Sequence, residues 1–168
     1  MRIVYELEEG ALPPRKAHET DAGLDLAWYV PGFDMSLCVN DPDEYWARRD
    51  QAFYDSYVKS KEIYKLRTGV HVLIPAGYVG LVLPRSSSPV EICKTGVIDA
   101  GYTGEIFVQW GDCIGREWEQ TRADIPEPHD RIAQLVILPC PVFELARGKI
   151  KGVKTERGAH GFGSTGKC

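Results

Sequence analysis

No run of 18 apolar residues occurs in the 168-residue chain, so no segment reads as a membrane-crossing helix. No two cysteines are spaced CxxC. The five present (Cys38, Cys93, Cys113, Cys140, Cys168) are scattered and odd in number, which excludes a zinc site or a disulfide framework and reads as reduced, intracellular thiols. There is no excess of positive charge either. Twenty Lys and Arg stand against 24 Asp and Glu, for a net charge of −4, which speaks against a partner such as duplex nucleic acid. The opening MRIVYELEEG lacks the basic-then-apolar layout of a signal peptide, so the expected location is cytoplasmic. Internal repeats and low-complexity tracts are also missing. What remains is 43% apolar, too much for a disordered chain, and a domain of this length buries roughly 70% of the surface its unfolded chain exposes.

Seventeen glycines and eleven prolines divide that apolar content into short segments rich in Val, Ile, Leu and Tyr: residues 3–7, 24–30, 66–74, 78–83, 105–110 and 132–138. Val70, Val72 and Ile74 alternate with His71 and Leu73, the period of a strand with one face inward. Many short strands between turn signals predict an all-β sandwich or barrel. One stretch breaks this pattern. Asp41 can cap a helix, Pro42 suits its first position, and Glu44 stands three residues after Asp41 as in a capping box. Trp46, Asp50, Phe53 and Tyr57 recur at helical spacing, predicting about four turns of helix over 43–61, within an insert at about 40–62. Its aromatics either dock on the barrel or form an exposed face for a protein partner.

Five blocks carry polar residues among glycines. In 17–29, Asp25 stands between Leu24 and Leu26 and needs a cation or a donor; it is a candidate for a hard ion such as Mg²⁺ or a turn-former bonding local N–H groups. In 83–89, Arg85 is followed by Ser86, Ser87 and Ser88, a guanidinium fork and hydroxyls suited to phosphate. In 96–109, Gly101 and Gly104 turn the chain so that Asp99 stands at a hairpin rim beside Tyr102. There the carboxylate can orient a water and accept its proton, or simply cap the turn. In 130–138, Gln134 interrupts an apolar face and requires a backbone or ligand partner. In 157–167, Arg157, Phe162, Ser164, Thr165 and Lys167 sit among four glycines, as in a mobile lid over a nucleotide or a disordered tail. This block is not a Walker loop, because the gap before GK is wrong.

In this order the five blocks resemble the five motifs of the trimeric dUTPase family. The most specific are Arg157-Gly-x-x-Gly-Phe-Gly-Ser-Thr-Gly and Gly96-Val-Ile-Asp-x-x-Tyr-x-Gly-Glu. The resemblance implies a distorted jelly-roll (β-clip) barrel over 1–150, with one inserted α-helix, and a glycine-rich arm over 151–168. It implies a homotrimer with shared sites that hydrolyses dUTP to dUMP and diphosphate with Mg²⁺. Asp99 would activate the water, and Asp25 would hold the Mg²⁺ shell. Arg85, Ser86, Ser87 and Gln134 would meet phosphates, Tyr102 would exclude a 2′-hydroxyl, and Gly96 and Ile98 would present main-chain groups to uracil. Phe162 would stack on the base, while Arg157, Gly163, Ser164 and Thr165 close over the nucleotide. This sequence has Ser87 where many members have glycine, Gly101 and Thr103 where an acid and an arginine are common, and Cys93 where some place an asparagine. The related dCTP deaminases have similar RSS and IDAG segments but a proton-shuttling Glu where this chain has Gln109, and an arginine where it has Val90. A nucleotide-gated regulator that binds a partner through the insert is the alternative from outside enzymology.

Overall fold

The computed structural model describes residues 2–58, 63–86, 93–111 and 125–150. The elements run β1 (Val4–Leu7), β2 (Gly23–Ala27), α1 (Leu37–Asn40), α2 (Pro42–Asp55), β3 (Tyr57–Val58), β4 (Ile63–Leu73), β5 (Tyr78–Leu83), β6 (Cys93–Lys94), β7 (Gly96–Ile98), β8 (Glu105–Gly111) and β9 (Arg131–Pro139). They form two antiparallel sheets. One is ordered β1-β4-β8-β6, with β3 also paired to β4; the other is β2-β9-β5-β7.

The inward alternation of Val70, Val72 and Ile74 is present, and these side chains are at most 3% exposed. They join Leu66, Ile106 and Val108 from the first sheet and Leu26, Val82, Ile132 and Leu135 from the second in one core. Six strands therefore lie close to the apolar segments. The other three are short: β3 and β6 are two residues long, and β7 is a three-residue edge strand.

The insert begins as its capping signals require. Asp41 accepts the Glu44 N–H at 3.2 Å, and Pro42 opens α2. Two features differ from expectation. The helix ends at Asp55, not near 61, because the Ser56 amide and hydroxyl both return to the Phe53 carbonyl. The β-favouring pair Tyr57 and Val58 then joins Tyr64 and Ile63 of β4. The buried stripe is Tyr45, Arg49 and Phe53, one position off the predicted set at its start, and Trp46 lies at the surface. A second, four-residue helix, α1, precedes α2.

Phe53 anchors the insert. It is fully buried, stacks on Tyr64 with ring centres 4.0 Å apart, and meets Trp28 edge-on at 6.3 Å. Phe53→Ala removes that ring from a close-packed site and is expected to cost about 3–5 kcal/mol. Urea unfolding at fixed protomer concentration measures it, and a loss under about 1 kcal/mol would show that the insert contributes little to the core.

Candidate active site

The polar residues collect at two places on the second sheet. At one end, Asp25 of β2 faces Gln134 of β9 in register, and Gln134 also pairs with Leu83 of β5. The Asp25 carboxylate accepts Nε–H of Arg85 at 2.9 Å and Nη1–H of Arg131 at 3.2 Å. A second guanidinium nitrogen of Arg85 donates to the Arg131 carbonyl at 3.0 Å. One carboxylate between two guanidiniums leaves a local excess of positive charge, a suitable cradle for an anion. Gln134 donates its amide to the Pro84 carbonyl at 2.9 Å and so holds the chain immediately before Arg85. Ser86 is exposed in the turn that follows, whereas Ser87 falls outside the described residues. The other carboxylate of the first block, Asp21, is a turn cap: it accepts the His18 N–H at 2.7 Å, and that bond lowers its pKa.

At the other end is the turn between β7 and β8. It is not the hairpin expected from the sequence, because β7 pairs with β5 in the second sheet while β8 pairs with β4 and β6 in the first, so the chain crosses between sheets here. Asp99 is exposed at the rim of this turn, with its carbonyl taking the Tyr102 N–H at 3.2 Å. Gly101 has φ +79°, open to glycine without strain, and its N–H ties the turn to the Ile74 carbonyl at 3.0 Å. The Tyr102 hydroxyl donates to the Glu105 carbonyl at 3.1 Å, laying the ring over Gly104, where any Cβ would collide with that hydroxyl. Gly96 and Ile98 lie on β7, the edge of the sheet. Cys93 is buried opposite Trp110, and burial pushes its thiol up to about 11, so it is a neutral packing group.

The two places do not meet within one chain. Ile98 pairs with Gly80 near the start of β5, whereas Leu83, at its end, pairs with Gln134. At about 3.3 Å per strand residue, Asp99 and Arg85 are separated by roughly 20 Å along the sheet. Arg157, Phe162, Gly163, Ser164 and Thr165 lie outside the described residues. Arg131 was not singled out from the sequence. Its only signal was a charged residue opening an otherwise apolar strand.

Comparison with known proteins shows the family. The family model described as dUTPase matches residues 51–166, more than half of the chain. The chain belongs to the dUTPase family. Among curated dUTPases, it is 31% identical over 170 residues to the deoxyuridine 5'-triphosphate nucleotidohydrolase of Tropheryma whipplei (strain Twist), covering 98% of this chain and 95% of that one. It is 34% identical over 159 residues to the one from Cutibacterium acnes, covering 91% and 84%. Among solved structures, it resembles the Staphylococcus bacteriophage 80alpha dUTPase with dUPNHPP, at TM-score 0.67 and 26% identity over 99% of each chain. The dUTPase match includes the Arg85 turn, the Asp99 turn and Gln134.

Proposed function

We propose that this protein hydrolyses dUTP to dUMP and diphosphate, at sites each completed by more than one copy of the chain. The observation that carries the reading is the pairing of an Arg85–Asp25–Arg131 anion cradle with an Asp99–Tyr102 turn at opposite ends of one sheet. The similar phage 80alpha dUTPase has a structure with dUPNHPP, consistent with a nucleotide at such a site. A homotrimer supplies the missing proximity. Residues 141–150 support that assembly, because Val142, Phe143, Leu145 and Ile150 are 74–89% exposed, a run of apolar side chains that another copy would cover.

In this mechanism Arg85, Ser86, Ser87 and Gln134 position the triphosphate, and Asp99 of another copy accepts a proton from water. The water oxygen bonds to the α-phosphorus, the α–β bridging bond breaks, and diphosphate departs with the bridging oxygen. Main-chain groups of Gly96 and Ile98 read uracil, and the Tyr102 ring blocks a 2′-hydroxyl. Over this, the arm of residues 151–168 closes, with Phe162 on the base and Arg157, Gly163, Ser164 and Thr165 around the phosphates, excluding bulk water. Among the described residues no three His, Cys, Asp or Glu side chains form a metal cluster, so Asp25 would hold an ion that arrives on the triphosphate. When bound, Mg²⁺ supplies positive charge to the phosphate oxygens.

Diphosphate release from dUTP, dCTP, dTTP and UTP tests the reading. Rapid release from dUTP alone, abolished by EDTA and restored by Mg²⁺, is expected. Deamination of dCTP, or nucleotide binding without turnover, would overturn it.

A further inference from the structure

We propose that Glu127 is a positioning residue, through which the inserted helix α2 sets the place of Arg131 and hence the shape of the phosphate cradle. Glu127 lies between Pro126 and Pro128, whose rings fix the backbone on either side. Among the described residues, the partners of its carboxylate come from the insert. The Tyr45 hydroxyl donates to one oxygen at 2.5 Å, and Nη1–H of Arg49 donates to the other at 2.9 Å.

Arg49 itself is only 4% exposed, which demands a compensated charge. Its remaining donors reach Asp50 at 2.6 and 2.9 Å, and its guanidinium lies 4.5 Å from the centre of the Trp46 ring. Burial and the Glu127 carboxylate together push the Tyr45 phenol far above its ordinary value, so it remains a donor.

The main chain of Glu127 then closes the turn leading into β9. Its N–H donates to the Asp130 carboxylate at 3.0 Å, and its carbonyl accepts the Asp130 N–H at 2.9 Å. The turn is held to the end of β2 by two backbone bonds of 2.8 Å, from Trp28 N–H to the Asp130 carbonyl and from His129 N–H to the Trp28 carbonyl. His129 sits at φ +72°, a strained conformation for a residue with a Cβ, so the turn needs such external ties. Directly after Asp130 comes Arg131, whose side chain meets Asp25 and whose carbonyl meets Arg85. A continuous path of hydrogen bonds and main chain therefore runs from α2 to the cradle.

The inference rests on the cradle binding phosphates, and the experiment separates the two claims. Dissociation of dUPNHPP, together with KM and kcat for dUTP, is measured for the full chain and for Glu127→Gln, Arg131→Met, their double variant and Arg85→Ala. Glu127→Gln puts an amide N–H against Arg49 and is expected to raise Kd and KM about tenfold, with kcat falling less than threefold. Arg131→Met should weaken binding similarly, and adding Glu127→Gln to it should change Kd less than twofold, because the effect already passes through Arg131. A Glu127→Gln Kd within twofold of the parent, or penalties that multiply in the double variant, overturns the coupling. A merely structural Glu127 would lower thermal stability without moving Kd or KM. If Glu127→Gln does not fold, Tyr45→Phe removes one bond and keeps the Arg49 pair; it should raise Kd about threefold, and an unchanged Kd overturns the proposal. Arg85→Ala binding as tightly as the parent removes the phosphate reading and the coupling with it. Weak binding by Arg85→Ala beside normal binding by Glu127→Gln removes the coupling alone.

Discussion

Asp99→Asn is expected to lower kcat for dUTP by about a thousandfold while leaving dUPNHPP bound as tightly as before. The magnitude follows from the usual contribution of a positioned base, on the order of 10²–10⁴ in rate. An amide keeps the shape of the side chain and still orients a water, but it cannot take the proton as the oxygen attacks phosphorus. The turn should tolerate the change. Asp99 is exposed, and it is the Asp99 carbonyl, not the side chain, that accepts the Tyr102 N–H. Single-turnover hydrolysis and calorimetric titration read the two quantities separately. A kcat within tenfold of the parent removes Asp99 as the base. Lost binding with intact turnover at saturation would instead make Asp99 a contact for the substrate.

Mixing two inactive variants should restore activity. Arg85→Ala damages one end of the sheet and Asp99→Asn the other, and the two ends stand roughly 20 Å apart in one chain. If each site takes its Asp99 turn from one copy and its cradle from a neighbour, equal co-refolded mixtures contain some sites with both ends intact. Random assembly into a ring places about one quarter of sites in that state. Recovery to roughly a quarter of parent kcat, from components that are each nearly silent, is therefore expected. Differently tagged subunits confirm that mixed oligomers have formed. Mixed oligomers with no recovered turnover would mean that both ends act within one copy, and the assembly argument would fail.

The legible parts of this protein were those that local chemistry decides. Val70, Val72 and Ile74 alternate because one face of β4 is buried, and Asp41, Pro42 and Glu44 mark the start of α2 because a helix N-terminus leaves N–H groups to satisfy. Its end was misjudged because Tyr57 fits a helical stripe as well as it fits a strand. Only the partner strand, with Tyr64 opposite, decides between them. The stripe was misjudged for a related reason. An arginine counts as a surface residue until its carboxylate partner, here the half-buried Glu127, is known, and that residue lies 78 positions away. Asp25 was marked correctly as a charge in need of company. That its company is two arginines from β9 and the turn after β5 depends on strand order, which no local pattern encodes.

Strand β9 carries a consequence for motion. It pairs with β2 over its first part and with β5 over its last, and residues 134–136, which include Gln134 of the cradle region, are flanked by both. The backbone of these three residues reaches solvent only when neighbouring strands separate, which places it among the slow-opening parts of the fold. Residues placed there cannot follow a ligand in or out. The enzyme's breathing falls to whatever lies off that strand, which makes β9 the fixed frame against which the nucleotide is measured.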